Sequence, residues 1–228
     1  MKGLILIPAF NAEETLEQVL IDVRKYCDLE ILVVNDGSTD STSEIALKNN
    51  CTLIEFPQNQ GKGAAIQCGI DYAIKHKSDF LITFDSDRQH PADEIPHFIE
   101  IHKKHPNRIL LGSRKRDRNM PGIRKFSNSV IAGMISFRIG KKLKDAQCGF
   151  RLIPSKYFDL EVTKLKGFVY EAEILIGWAE NKIHLHEIPI PTIYFEQHKS
   201  KITYVDSTLI FLGIYFLSFF KSYKQDKK

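Results

Sequence analysis

Two hydrophobic periods alternate through the first half of this chain, and that alternation most constrains its fold. Short, nearly continuous apolar runs cover Gly3 to Ile7, Glu30 to Asn35, Thr52 to Phe56, Phe80 to Phe84 and Ile109 to Gly112. Between them lie stretches of helical periodicity: Glu13 to Tyr26, Ser41 to Asn50, Lys62 to His76 and Asp93 to His105. Strands that are apolar on both faces must be covered on both faces, and a helix after each strand does this. The pattern predicts an α/β fold with a mostly parallel central sheet flanked by helices. Asn11 is expected to cap the first helix, Asp40 or Thr39 the second, and Pro91 to open the fourth.

After Ser113 the character changes. A basic loop carrying Pro121 and Gly122 leads to a helix near Phe126 to Ile139. Gln147 to Leu152 then reads as a strand and Tyr170 to Asn181 as a helix. Strands follow near His184 to Ile188 and Thr192 to Phe195, and a last helix from roughly Tyr204 to Phe220.

The chain has 228 residues, 43% of them hydrophobic, which is ample for a buried core. Its net charge of +4 is modest but clustered: Arg114, Lys115, Arg116, Arg118, Arg124 and Lys125 crowd one stretch, and Lys221, Lys224, Lys227 and Lys228 another. Neither cluster is interleaved with aromatics as a nucleic-acid surface would be, so no nucleic-acid partner is expected. Cys27, Cys51, Cys68 and Cys148 form no metal or redox spacing and suggest a reducing compartment. With no signal-peptide pattern at Met1, the expected location is cytoplasmic.

Ligands of parallel sheets bind beyond the carboxyl ends of the strands, and the unusual residues of this chain gather there. The fourth strand runs out into Asp85-Ser86-Asp87-Arg88-Gln89-His90. Two acids spaced by one residue at a strand end can converge on a hard divalent cation, which leaves positions open for phosphate oxygens. The same spacing also suits a plain polar turn. After the first strand, Phe10 offers a ring on which a base can stack. After the second, Asp36 offers a carboxylate for a base N–H or ribose hydroxyl, unless it serves the turn with Gly37. Asn59-Gln60-Gly61-Lys62-Gly63 opens a helix, where N–H groups and a lysine favour an anion.

Taken in order, Ile7 to Glu13, Val33 to Asp40, Asn59 to Gly63, Asp85 to Pro91, Gly112 to Arg114 and Asp145 to Arg151 resemble the family-two glycosyltransferases of GT-A fold. More narrowly they are similar to the dolichyl- or polyprenyl-phosphate sugar synthase branch. The resemblance spans roughly residues 3 to 205. It implies that Pro8, Phe10, Glu13 and Asp36, with Lys62, hold the nucleotide. It gives Asp85, Asp87 and Gln89 as the positions of a DXD motif that binds Mg²⁺ or Mn²⁺. Arg114 and Arg151 match basic residues that receive the acceptor's phosphate, as bidentate arginine chemistry suits. Ser200 and Lys201 match a Ser-Lys pair on the acceptor side. The sequence departs from the branch at Tyr194 to His198, where Arg and Gly are usual.

The reaction so implied is inverting transfer of a sugar from a UDP- or GDP-sugar to a polyprenyl phosphate. Asp87, Arg114, Arg151 and Glu173 are the expected catalytic residues. An anionic phosphate acceptor needs no general base, whereas the alternative acceptor, a saccharide hydroxyl, does. A sugar-1-phosphate nucleotidyltransferase would need a glycine-rich loop after the first strand, which Pro8 to Ala12 lacks. Residues 1–203 are expected to form the catalytic domain, with a nucleotide-binding half over 1–113 and an acceptor half over 114–203.

Residues 204–228 then form an apolar helix with a basic tail. The run Thr208 to Phe220 is shorter than the roughly 20 residues of a bilayer span. It suits a helix lying on the inner face of an anionic membrane, a homodimer face, or a core helix.

Overall fold

The structure, a computed structural model, describes residues 1–114, 122–140, 142–160, 174–178, 181–191 and 193, with backbone alone for 122–128 and 139. Strand β1 (Gly3–Ala9) is buried along its whole length, as are β2 (Glu30–Asn35) after its first residue and β4 (Phe80–Thr83). With β3 (Thr52–Glu55), β5 (Ile109–Arg114), β6 (Arg151–Pro154) and β7 (Leu185–Ile190) they form a seven-stranded sheet of order β3-β2-β1-β4-β6-β5-β7. The predicted mostly parallel sheet is present: β1 pairs parallel with β2 and β4, β2 with β3, and β5 with β7.

Alternate residues of the strands feed two cores. Ile5, Ile7, Ile31, Val33 and Ile82 face helices α1 (Leu16–Tyr26), α2 (Thr42–Lys48) and α4 (Ile95–Lys104). Leu4, Leu6, Leu32, Val34 and Leu81 face α3 (Lys62–Lys75) and α5 (Gly122–Ile139). Burying each such side chain stabilises the fold by about 1.5–3 kcal/mol before chain entropy is counted. Helix α1 shows the logic: Leu16, Val19, Leu20 and Val23 recur on one stripe and all are buried.

Two local expectations are corrected and a third is met. Asn11 does not cap α1, which starts later, at Leu16, with Thr15 at the N-cap. Asn11 instead adopts a left-handed conformation (φ 47°), open to Asn because its short polar side chain bonds locally. Ser41, not Thr39 or Asp40, holds the N-cap position of α2, but the Asp40 carboxylate accepts the Thr42 N–H at 3.0 Å and satisfies an amide of the first turn. Pro91 does lead into the fourth helical segment, a 3-10 turn over Ala92–Glu94 that continues as α4.

The strand expected over 147–152 begins only at Arg151 and is antiparallel to both β4 and β5. Just before it the chain still bonds to β5 at Phe150, and only at Gly149 does a carbonyl leave the ladder for a side chain. Gly149 O accepts the Thr83 hydroxyl at 2.5 Å, and Phe150 O accepts the Gly112 N–H at 2.8 Å. Because β6 runs against its neighbours, its entry loop arrives at the carboxyl ends of β4 and β5, beside the acid pair. The strand expected over Thr192 to Phe195, Glu173, Ser200, Lys201 and the whole of 204–228 lie outside the described residues. No helix among the described residues is long and apolar enough to cross a membrane.

Candidate active site

The loops after β1 and β2 are laced together. Asn11 N–H donates to Ser38 Oγ and Asn11 Oδ1 accepts from Thr39 N–H, both at 2.9 Å. Glu13 N–H donates to Asp40 Oδ2 at 3.0 Å, and Glu13 Oε2 accepts from Ser41 N–H at 3.1 Å. So Glu13, expected on the nucleoside, also ties the two loops. Phe10, in the first loop, is 40% exposed. Pro8 is a buried residue of β1 in register with Val34.

Asp36 lies at the end of β2 and is 4% exposed. Its two oxygens accept the N–H groups of Gln60 at 2.7 Å and Gly61 at 2.8 Å, just ahead of α3. The anion that this helix entry holds is thus an internal carboxylate. Gly37 permits the close approach: its φ is +72°, and a Cβ there would fall 2.5 Å from the Gln58 carbonyl carbon.

Beyond β4 the electrostatics concentrate. The Lys62 ammonium, in the first turn of α3, sits 2.7 Å from Asp85 Oδ1. On the other side His90 Nε2 lies 2.9 Å from Asp85 Oδ2. Burial alone would raise the Asp85 pKa, but the Lys62 charge and the His90 hydrogen bond hold it well below the usual carboxylate range. Asp87 turns back on itself: its Oδ1 accepts the Gln89 N–H at 2.9 Å, an Asx turn that places Arg88 in the left-handed region (φ 63°). On the far face of this turn, a pocket of about 280 Å³ is lined by Val19, Asp22, Tyr26, Arg88, His90 and Ile193 among others, but by neither acid of the pair.

The third wall is the loop that enters β6. Arg114, the last residue of β5, grips Asp145 bidentately through Nε (2.6 Å) and Nη2 (3.0 Å), with both side chains at or below 10% exposure. Burial would favour the neutral forms, yet each charge stabilises the other: Asp145 is held low and Arg114 raised. Arg151 is 4% exposed and donates to the carbonyls of Cys148 (2.9 Å) and Ala146 (3.3 Å). Its guanidinium carbon lies 5.9 Å from the Trp178 ring centroid. Both arginines, expected on an acceptor phosphate, therefore brace the loop over 145–149. That loop presses Gly149 against Asp85.

Asp36, Lys62, Asp85, Asp87, Arg114 and Arg151 thus come together at one end of the sheet. Sequence reasoning missed His90 and Asp145 as parts of the site. The available signals were a histidine three residues past an acid pair, and a lone acid after Lys141, Lys142 and Lys144.

A family model described as "Glycosyl transferase family 2" matches residues 4–160. The chain belongs to this family. Like the family's members it is a glycosyltransferase, and its likeness is to the polyprenyl-phosphate sugar transferase branch. An uncharacterised protein of Methanocaldococcus jannaschii is 31% identical over 207 residues, covering 88% of this chain and 85% of the relative. A Methanococcus voltae protein named UDP-N-acetylglucosamine–dolichyl-phosphate N-acetylglucosaminyltransferase is 29% identical, covering 88% of this chain and 89% of its own length. Among solved structures, glucosyl-3-phosphoglycerate synthase of Mycobacterium tuberculosis, crystallised with Mn²⁺, UDP-glucose and phosphoglyceric acid, superposes with a TM-score of 0.74 at 17% identity. It covers 95% of this chain and 79% of that one. The likeness of fold is to GT-A glycosyltransferases.

Proposed function

We propose that this glycosyltransferase moves a sugar from a UDP- or GDP-sugar to a polyprenyl phosphate, with inversion at the anomeric carbon. The observation that carries the reading is Asp85 held ionised between Lys62 and His90, with Asp87 beside it at the end of β4. A full-length relative named for a dolichyl-phosphate acceptor supports the same acceptor class.

The residues fit a hard divalent ion. Asp87 Oδ1 takes one hydrogen bond, while Oδ2 takes none among the described residues. Asp85 Oδ1 faces the Lys62 ammonium, which is partly open to solvent. No cluster of three or more His, Cys, Asp or Glu side chains occurs among the described residues, and a Mg²⁺-type site typically uses one or two carboxylates plus substrate phosphates and water. Asp85, Asp87 and Gln89 are the residues that would hold Mg²⁺ or Mn²⁺. Such an ion supplies electrostatic stabilisation of the charge that grows on the leaving diphosphate.

Lys62 adds a second positive charge on the same side. Phe10 and Pro8 supply the nucleoside's apolar contact, with Glu13 and Asp36 fixing the loops that carry them. The acceptor phosphate attacks from the side of the loop over 145–149 that Arg114 and Arg151 brace, with Ser200 and Lys201 as its contacts. Its oxygen is already anionic, so Glu173 is not required to take a proton. A membrane-surface contact through 204–228 would suit a lipid acceptor.

The test offers purified protein UDP- and GDP-sugars with Mn²⁺, with undecaprenyl phosphate, with a saccharide acceptor, or with neither. Product with the lipid phosphate alone is expected. Transfer to the saccharide and not to the lipid would overturn the acceptor assignment.

A further inference from the structure

The two oxygens of Asp85 are treated differently by their surroundings. Oδ1 meets Lys62, a flexible side chain that is 25% exposed. Oδ2 meets His90, whose side chain is 2% exposed. The imidazole is boxed by aromatic rings: Phe84 edge-on at 5.6 Å and Phe150 tilted at 5.9 Å, with Phe98 stacked on Phe150 at 4.1 Å. Its Nδ1 is buried and has no hydrogen-bond partner among the described residues. A proton on Nδ1 would therefore be stranded, at the cost of an unsatisfied buried donor. The proton belongs on Nε2, which donates to Asp85 Oδ2. Opposite, the carboxylate packs on Gly149 in the place a side chain would take, since a Cβ there would fall 2.3 Å from Oδ2 and 2.5 Å from Oδ1.

We propose that His90 is a positioning residue that commits Asp85 Oδ2 and fixes the carboxylate plane, so that Oδ1 alone is offered to the divalent ion. Lys62 then holds the ion's place: it neutralises Oδ1 in the empty site and is released toward the diphosphate when donor and ion enter. The inference rests on the proposed metal-dependent function. It adds a named donor behind the acid pair, and it makes Asp85 a one-oxygen ligand.

The test compares His90→Leu with His90→Gln, whose side-chain amide can put a donor where Nε2 stands. Mn²⁺ binding in the presence of UDP is read from the free-ion paramagnetic resonance signal, alongside thermal melting and kcat/KM. A partner behind a metal ligand is worth about 10- to 100-fold in metal affinity, so His90→Leu should weaken Mn²⁺ binding by at least about tenfold. His90→Gln should stay within a few-fold of the unaltered protein at the same melting temperature as His90→Leu. Equal Mn²⁺ affinity in His90→Leu and the unaltered protein would overturn the inference and leave the proposed function standing. Equal weakening in both variants would overturn it too, since packing rather than the donor would then matter. If the unaltered protein binds no Mn²⁺ with UDP present, the metal-dependent function and this inference fall together.

Discussion

Gly149 and Asp85 touch so closely that the residue at 149 can carry no side chain: a Cβ would lie 2.3 Å from Asp85 Oδ2. Asp85 is a short, rigid acid already bonded on both oxygens, so it cannot yield without losing Lys62 or His90. Gly149→Ala should therefore lower kcat by at least about 30-fold, near 2 kcal/mol of barrier, with only a small shift in melting temperature. Activity and thermal melting measured on the same preparation check this. A fully active Ala variant would show that the carboxylate has freedom to move.

Asp87→Asn and Asp85→Asn should each lose two or more orders of magnitude in transfer, roughly 3 kcal/mol of barrier, while remaining folded. Titrating Mn²⁺ against turnover provides the measurement. Near-normal turnover without divalent metal would refute the metal-dependent function.

Asp36 holds two part-buried amides, those of Gln60 and Gly61. Asp36→Ala leaves both without an acceptor and should destabilise the fold by about 2–4 kcal/mol. Asp36→Asn keeps one acceptor oxygen and should fall between. Urea midpoints report the stability, and calorimetry with UDP reports whether nucleotide affinity falls in step with it.

Breaking the Arg114–Asp145 pair should be costly because it leaves a lone buried charge. Arg114→Ala and Asp145→Asn should each destabilise by about 3–5 kcal/mol. The pair also sets an acid limit. Asp145 has a native pKa below its unfolded value of about 3.9. Its contribution is thus complete above roughly pH 5 and is lost as pH falls through the native value. Melting temperature should drop over that acid range, and the drop should shrink in Asp145→Asn.

The Cys148 thiol should resist modification. Burial pushes its pKa up to about 12, and Asp145 adds to this. Native protein at pH 8 should leave Cys148 unlabelled by a thiol reagent, and denaturant should expose it. The sign reverses on the alkaline side: the unfolded thiol ionises from about pH 8.5, so stability declines as pH climbs from there toward 12. Cys148→Ala should flatten that decline.

Much of the fold was legible because its signals are local. The apolar runs at Gly3, Glu30, Thr52, Phe80 and Ile109 each became a strand beginning at that residue. The helix predicted near Phe126 to Ile139 is present and starts four residues earlier, at Gly122. The caps were less legible. Asn11 can serve as an N-cap or as a left-handed residue, and its bond to Thr39, 28 residues on, decides between them. The reversal of β6 was not legible at all, since a run such as Arg151–Pro154 reads alike in either direction.

By itself the sequence determined the alternation of strand and helix, the position of Asp85 and Asp87 at a strand end, and the family resemblance. These rest on periodicity and on residues adjacent in the chain. Only the tertiary structure decided which charges meet. Lys62 reaches Asp85 because α3 and β4 are neighbours at one end of the sheet. His90 turns its donor to Asp85 because Phe84 and Phe150, from separate segments of the chain, flank it, with Phe98 of α4 stacked on Phe150. Arg114 and Arg151 are braced by a loop that no spacing rule joins to them in advance. Such partners are chosen by packing between distant segments, where burial makes an unpaired charge costly and so selects the one arrangement that pairs it.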